Sequence, residues 1–231
     1  MDVLKWLRRE GHDNIKPESN CFYAARAGRL DVLKWLRSNC CPWNERACWS
    51  AATWGHFEVL KWLRSEGCPW DPGACEGAAR RGDLKMLKWL RREGCPWSGT
   101  ACWGAAIGGH LEILKGLRSE GCPWNARACT GAAEGGHFEI LKWLRSEGCP
   151  WDACACSSAA ERGDFKMLKW LRSQDPPCPW NYLVCSGELR GGHLDVLKWA
   201  IDNGCPYEVT AWTRPALESL GIDLRACPPS L

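Results

Sequence analysis

Polar and apolar residues follow a helical beat along most of this 231-residue chain. In one segment Phe57, Leu60 and Leu63 fall at i, i+3 and i+6 with Val59 beside them, which makes a single apolar face. Glu58, Lys61 and Arg64 lie off this face. Gly67 and Pro69 then supply a helix stop and a barrier to continuation. Upstream, residues 45–54 have helical composition around Ala51-Ala52, and Gly55 separates the two runs. The pattern predicts a helix over 45–54, a tight turn, a helix over 56–66 and a short loop. No alternating run is long enough for a strand.

This unit recurs. Leu-Lys-Trp-Leu-Arg or a near variant precedes a Cys-Pro-Trp or Cys-Pro-Tyr tripeptide seven times, with cysteines at 41, 68, 95, 122, 149, 178 and 205. Their spacing is 27 residues except for one step of 29, where Asp175-Pro176-Pro177 accounts for the insertion. A fixed period of this size specifies a solenoid, in which each unit is stacked on copies of itself. Small pairs such as Ala51-Ala52, Ala78-Ala79 and Ala132-Ala133 recur where two helices must approach closely. In the seventh unit Glu188 and Leu189 take that place and are expected to distort it.

Two stretches carry a family resemblance. Gly121-Cys122-Pro123-Trp124-Asn125-Ala126 resembles the ankyrin Gly-Ala-Asp-Val-Asn-Ala loop, and residues 132–142, Ala-Ala-Glu-Gly-Gly-His-Phe-Glu-Ile-Leu-Lys, resemble the core of an ankyrin repeat. The resemblance runs from Met1 to about Trp212. Two departures stand out. Arg-Ala-Cys-Trp at 46–49 replaces the Thr-Pro-Leu-His motif, and each repeat is about six residues shorter than the ankyrin length of 33. The deficit falls where ankyrins carry a β-hairpin finger. The resemblance therefore implies an all-α, right-handed, ankyrin-like helix-turn-helix repeat solenoid over 1–212, its first unit partial and its seventh degenerate. Residues 213–231 are expected to form a degenerate cap, with a weak helix around Ala216–Leu220, or a disordered tail. The outward edge of Val3, Leu4 and Leu7 lacks a polar cap, so the chain reads as a fragment or an incomplete gene product.

Composition narrows the function. The net charge of +3, with Lys/Arg interleaved among Asp/Glu, gives no electrostatic footprint for nucleic acid or a membrane surface. No apolar run spans a bilayer and the start is no secretory signal, so an intracellular, cytoplasmic or nuclear location is expected. Of 17 cysteines, seven form the tripeptide column and seven a second column at 21, 48, 75, 102, 129, 156 and 185. Neighbours within a column, roughly 10 Å apart like packed helices, cannot form disulfides. Reduced, buried thiols are expected. Metal binding would need closely spaced Cys or His ligands, and Cys40-Cys41 and Cys154-Ala155-Cys156 are poor candidates.

The loop tryptophans (Trp43, Trp70, Trp97, Trp124, Trp151, Trp180) are expected to plug the gap under the loop. The helical ones (Trp6, Trp35, Trp62, Trp89, Trp143, Trp170, Trp199) should lie half-buried against the next repeat. A base-stacking ladder would need a basic groove. His12, His56, His110, His137 and His193 resemble the ankyrin Gly-His step, and Asp83 and Asp164 replace it as helix caps. Gly116 replaces a helical Trp and leaves a notch. That notch and the bulge at Asp175-Pro176-Pro177 both read as repeat decay. No nucleophile, base and orienting acid are arranged for catalysis, and no cofactor is implied.

Columns that repeat are scaffold, and columns that vary are free to specialise. The most variable run through Trp49, Glu76 and Trp103; through Thr53, Arg80, Ile107, Glu134, Glu161 and Arg190; and through Trp54, Arg81 and Arg162. The i, i+4 separation puts the first two on one face of the first helices. By the resemblance, that face lines a concave groove. The expectation is a non-catalytic, monomeric protein-interaction scaffold whose groove binds a protein partner. The alternative is a cysteine-based metal-binding or redox-responsive repeat protein.

Overall fold

The structure, a computed structural model, describes residues 17–222. They form fifteen helices and, among the described residues, no strand. The chain divides into two compact units, one ending at Pro123 and one beginning at Trp124.

The first unit holds α1 (Pro17–Arg26), α2 (Leu30–Ser38), α3 (Glu45–Trp54), α4 (Phe57–Ser65), α5 (Pro72–Arg81), α6 (Leu84–Arg92), α7 (Gly99–Ile107) and α8 (Leu111–Ser119). The second holds α9 (Ala126–Gly135), α10 (Phe138–Ser146), α11 (Ala153–Glu161), α12 (Phe165–Ser173), α13 (Tyr182–Gly191), α14 (Leu194–Asp202) and α15 (Arg214–Ser219). In the first unit α1, α3, α5 and α7 pack side by side in that order, each also packed on its own second helix; α9, α11 and α13 do the same in the second.

The helices start and stop where local chemistry dictates. Asn44, Asp71, Ser98, Asn125, Asp152 and Asn181 each precede a first helix in extended backbone. Their side-chain oxygens accept from the backbone N–H two residues on, at 2.9–3.3 Å. Such a cap is worth about 1 kcal/mol. The second helices end in a 6→1 closure, Cys68 N–H donating to Leu63 O at 2.9 Å, with Gly67 left-handed at φ 78°. Cys40 takes this glycine's place in the first described repeat at φ 56°. The two-residue insertion widens this closure but keeps its ends together: Cys178 N–H donates to Leu171 O, seven residues back, at 3.0 Å, while Asp175, Pro176 and Pro177 are exposed.

Packing follows the predicted faces. Val59, Leu60 and Leu63 of α4 are buried, as are their counterparts in the other second helices, together with the Ala-Ala pairs and both cysteine columns. One such face cannot offset the backbone entropy of a nine-residue helix, so the pairs are stable only as a stack. One small residue that limits stacking stands one place before the Ala-Ala pair. A methyl at Gly104 would lie 2.6 Å from Glu76 O, and at Gly77 2.8 Å from Thr53 N. Only glycine lets α3, α5 and α7 approach this closely.

The first helix of the seventh unit is regular. α13 runs its full ten residues and closes on left-handed Gly192. The misfit appears instead as a buried carboxyl, because Glu188 has no exposed surface and neither of its oxygens has a hydrogen-bond partner. Among the described residues no helix is long and apolar enough to cross a membrane. Met1 to Lys16 and Asp223 to Leu231 lie outside the described residues, and with them Val3, Leu4, Trp6, Leu7, His12 and Cys227.

Candidate functional site

The variable columns fall on the exposed side of the first helices, where glycine-mediated packing sets neighbouring columns close together. In the first unit the site begins with a residue outside the proposed set, Phe22. It stacks on Trp49 with ring centroids 6.1 Å apart and planes 11° apart, and Arg46 lies over Phe22 at 5.1 Å. Phe22 stands 27 residues before Trp49, so extending the variable column back by one repeat finds it in the sequence. On its other side Trp49 packs over Gly73, where a methyl would come within 2.9 Å of the indole. Thr53 Oγ1 donates to Trp49 O at 2.9 Å. Trp54 is 47% exposed, under Arg26 at 4.7 Å. Arg80 is exposed and lies over Trp103 at 5.6 Å, with Glu76 and Ile107 half-buried on the same columns.

The second unit presents a different surface. Thr130, Ser157 and Ser186 turn their hydroxyls back to carbonyls of their own helices at 3.1–3.3 Å, which leaves them little to offer a ligand. Glu134, Glu161, Arg162 and Arg190 are exposed. The aromatic members of the proposed set are thus confined to the first unit, and the second unit supplies only charges.

Two arginines of the set serve the scaffold. His56 Nε2 hydrogen-bonds Arg26 O at 3.0 Å, and His110 Nε2 hydrogen-bonds Arg80 O at 3.2 Å, each tying a turn to the preceding first helix. Where Asp replaces His, the side chain caps its own helix instead: Asp83 Oδ1 accepts from Met86 N–H and Asp164 Oδ1 from Met167 N–H, both at 2.9 Å. The residue two places earlier takes over the lost tie. Arg162 Nη1 donates to Glu134 O at 3.1 Å, and Arg81 lies against the Gly55 turn in the same way as Arg162 against Gly136. Arg81 and Arg162 therefore vary together with the His-to-Asp exchange, and this explains part of the variation that marks their column.

The repeated tryptophans are scaffold, with two corrections. The loop tryptophans are half-buried and do not plug the core; the cysteine beside them does. Trp43, Trp70, Trp151 and Trp180 are each sandwiched between a helical Trp of their own repeat and an arginine. Trp43–Trp62, Trp70–Trp89, Trp124–Trp143, Trp151–Trp170 and Trp180–Trp199 meet edge to face at 5.8–6.2 Å. Arg37, Arg64, Arg145 and Arg172 cover Trp43, Trp70, Trp151 and Trp180 at 3.8–4.3 Å. The helical tryptophans lean on the preceding repeat, not the next. Phe57–Trp89, Phe138–Trp170 and Phe165–Trp199 meet edge to face at 5.2–5.4 Å.

The two cysteine columns meet where one repeat joins the next. Cys185 and Cys205 have sulfurs 3.6 Å apart, a thiol contact and not a disulfide. Tripeptide thiols donate to the carbonyl of the preceding repeat's cap residue, as Cys68 to Asn44 O and Cys95 to Asp71 O at 3.5 Å. Holding its proton against the partner sulfur, with burial added, pushes the thiol of Cys48, Cys129, Cys156 and Cys205 up. Burial is the largest cause of the rise of Cys21 to about 12, with Cys41 adding to it. These are poor nucleophiles. Among the described residues no group of three or more His, Cys, Asp or Glu could hold a metal ion.

Residues 21–64, which include most of α1, all of α2 and α3 and all but the last residue of α4, match the family model described as ankyrin repeats (many copies). The chain is similar to the ankyrin repeat domain of human ASB11, at 18% identity and a TM-score of 0.47, over 64% of this chain and 80% of that one. No curated protein matches it. The matched segment holds the same loop, Ala-Ala and Gly-His elements that recur along the chain, whose described residues form helix pairs without a strand.

Proposed function

We propose that the chain is a non-catalytic protein-interaction module, and that the face of α1, α3, α5 and α7 holds the partner. Ankyrin repeats are generally protein-interaction modules. The observation that carries the reading here is the juxtaposition of Trp49, Trp54 and Trp103 with Arg80 on one side of the first unit. Aromatic and arginine side chains on a rigid surface are the groups that usually dominate binding energy. Glu76, Thr53 and Ile107 complete this surface, and in the second unit Glu134, Glu161 and Arg190 stand at the equivalent exposed positions. The partner is a protein, bound by a monomer inside the cell.

The test replaces Trp54, Arg80 and Trp103 by Ala, leaving Trp49 in place because it braces α1 against α3. Capture of proteins by the native chain and the variant is compared by mass spectrometry after checking that both melt alike. Specific partners should be lost from the variant. Equal capture by both proteins overturns the reading.

A further inference from the structure

The sandwich that locks each loop is broken once. In the repeat of Trp97 the helical Trp is replaced by Gly116, yet the rest of the sandwich is built as usual: Arg91 covers Trp97 at 3.7 Å and donates to Cys95 O at 2.8 Å. What remains is a cavity of about 230 Å³ bounded by Leu84, Leu87, Trp97, Ile113, Gly116 and Leu117. It is partly open to solvent, and a methyl at Gly116 would meet no atom within 4 Å.

The shape of this cavity is known from the other repeats. One repeat earlier, Trp89 sits between Phe57 at 5.4 Å and Trp70 at 6.0 Å. In the second unit Trp170 sits between Phe138 at 5.4 Å and Trp151 at 6.2 Å. Leu84 and Trp97 are the counterparts of Phe57 and Trp70. The Gly116 notch is therefore an indole socket with its indole removed. A second observation agrees. Leu84 is 45% exposed, whereas Phe57, Phe138 and Phe165 at the same position are half-buried beneath a tryptophan. Arg91 Nε, in the same wall, is buried without a hydrogen-bond partner.

An apolar cavity of about 150 Å³ already takes up a benzene-sized guest, so the volume suffices for a bicyclic ring. The walls supply an aromatic edge-to-face contact, worth about 0.5–1.5 kcal/mol beyond area burial in known pairs. Glu112 and Glu120 in the lining offer acceptors for a ring N–H. We propose that the Gly116 notch binds an indole ring supplied by another molecule, seated where the chain's own tryptophan sits in the other repeats. The site lies on the second-helix side and is independent of the first-helix face proposed for the partner.

The test uses the whole chain, titrated by calorimetry with indole and, separately, with N-acetyltryptophanamide. Saturable binding is expected for the native protein and for Gly116→Ala, whose methyl leaves the socket open, and should vanish in Gly116→Trp, which fills it. Gly116→Trp should also melt higher than the native chain. Binding of both probes identifies a tryptophan side chain as the occupant, since the ring then enters while carried on a backbone. Binding of indole alone identifies a free aromatic molecule. No binding by the native protein, undiminished binding by Gly116→Trp, or loss in Gly116→Ala as well overturns the proposal.

Discussion

Single residues decide where this repeat spends its polar groups. The tripeptide cysteine is small and apolar enough for a buried loop, and its S–H still satisfies the carbonyl of the neighbouring cap residue. A valine there would leave that carbonyl unpaired. Glu188 is the opposite case, a carboxyl where other repeats place alanine. Burial, with the charges of Cys185 and Asp195 adding, raises it to about 8. The unfolded chain holds that proton only to about pH 4.3. The folded state therefore binds the proton more tightly, and its contribution to stability is complete below about pH 4.3. Stability should fall as pH rises from there toward 8, by about 1.4 kcal/mol for each factor of ten in proton affinity. Urea unfolding of the native chain and Glu188→Ala at several pH values checks this: the variant should show a flatter pH dependence and greater stability at alkaline pH. Parallel curves would show that Glu188 titrates normally.

Elements were the most legible level. The apolar beat and Gly/Pro punctuation predict helices over 45–54 and 56–66, and the structure has them at Glu45–Trp54 and Phe57–Ser65. The difference at the second helix is His56, which serves as its cap residue and points back to Arg26 O. That contact spans 30 residues, and no local pattern could reveal it. The closeness of the first helices was equally hidden, because a glycine within a helix reads in sequence only as a weak former. In place, Gly104 sits against Glu76 O. Gly104→Ala gains helix propensity but forces α5 and α7 apart. A net loss of about 1–3 kcal/mol is expected, the range for overpacking a tight contact. Thermal melts of this variant beside Gly116→Ala check it, since the same substitution in open space should stabilise.

The whole molecule gains its thiol chemistry from stacking. Sixteen cysteines are described, and only Cys40 and Cys154 are exposed. An alkylating reagent followed by peptide mapping should label these two in the native protein and leave the two columns untouched until denaturant is added. Rapid labelling of column cysteines under native conditions would show that the repeats open locally. The candidate site was legible in part at this scale. Comparison between repeats found Trp54, Trp103 and Arg80, because a face that need not stack is free to vary, and with them Trp49, which also braces α1 against α3. It also drew in Arg81 and Arg162, whose variation compensates for the loss of histidine. It passed over Phe22, whose role depends on the stacking of α1 beside α3.

The sequence by itself determined the repeat, its two helices, its loop and its buried face, because these follow from spacing, capping and apolar periodicity within 27 residues. Only the tertiary structure decided which variable residues are free and which are braces. The same is true of the way the two cysteine columns meet, and of the single glycine that leaves an empty indole socket. Each of these depends on side chains separated by about 20 to 30 residues in the chain and brought together only by stacking one repeat on the next.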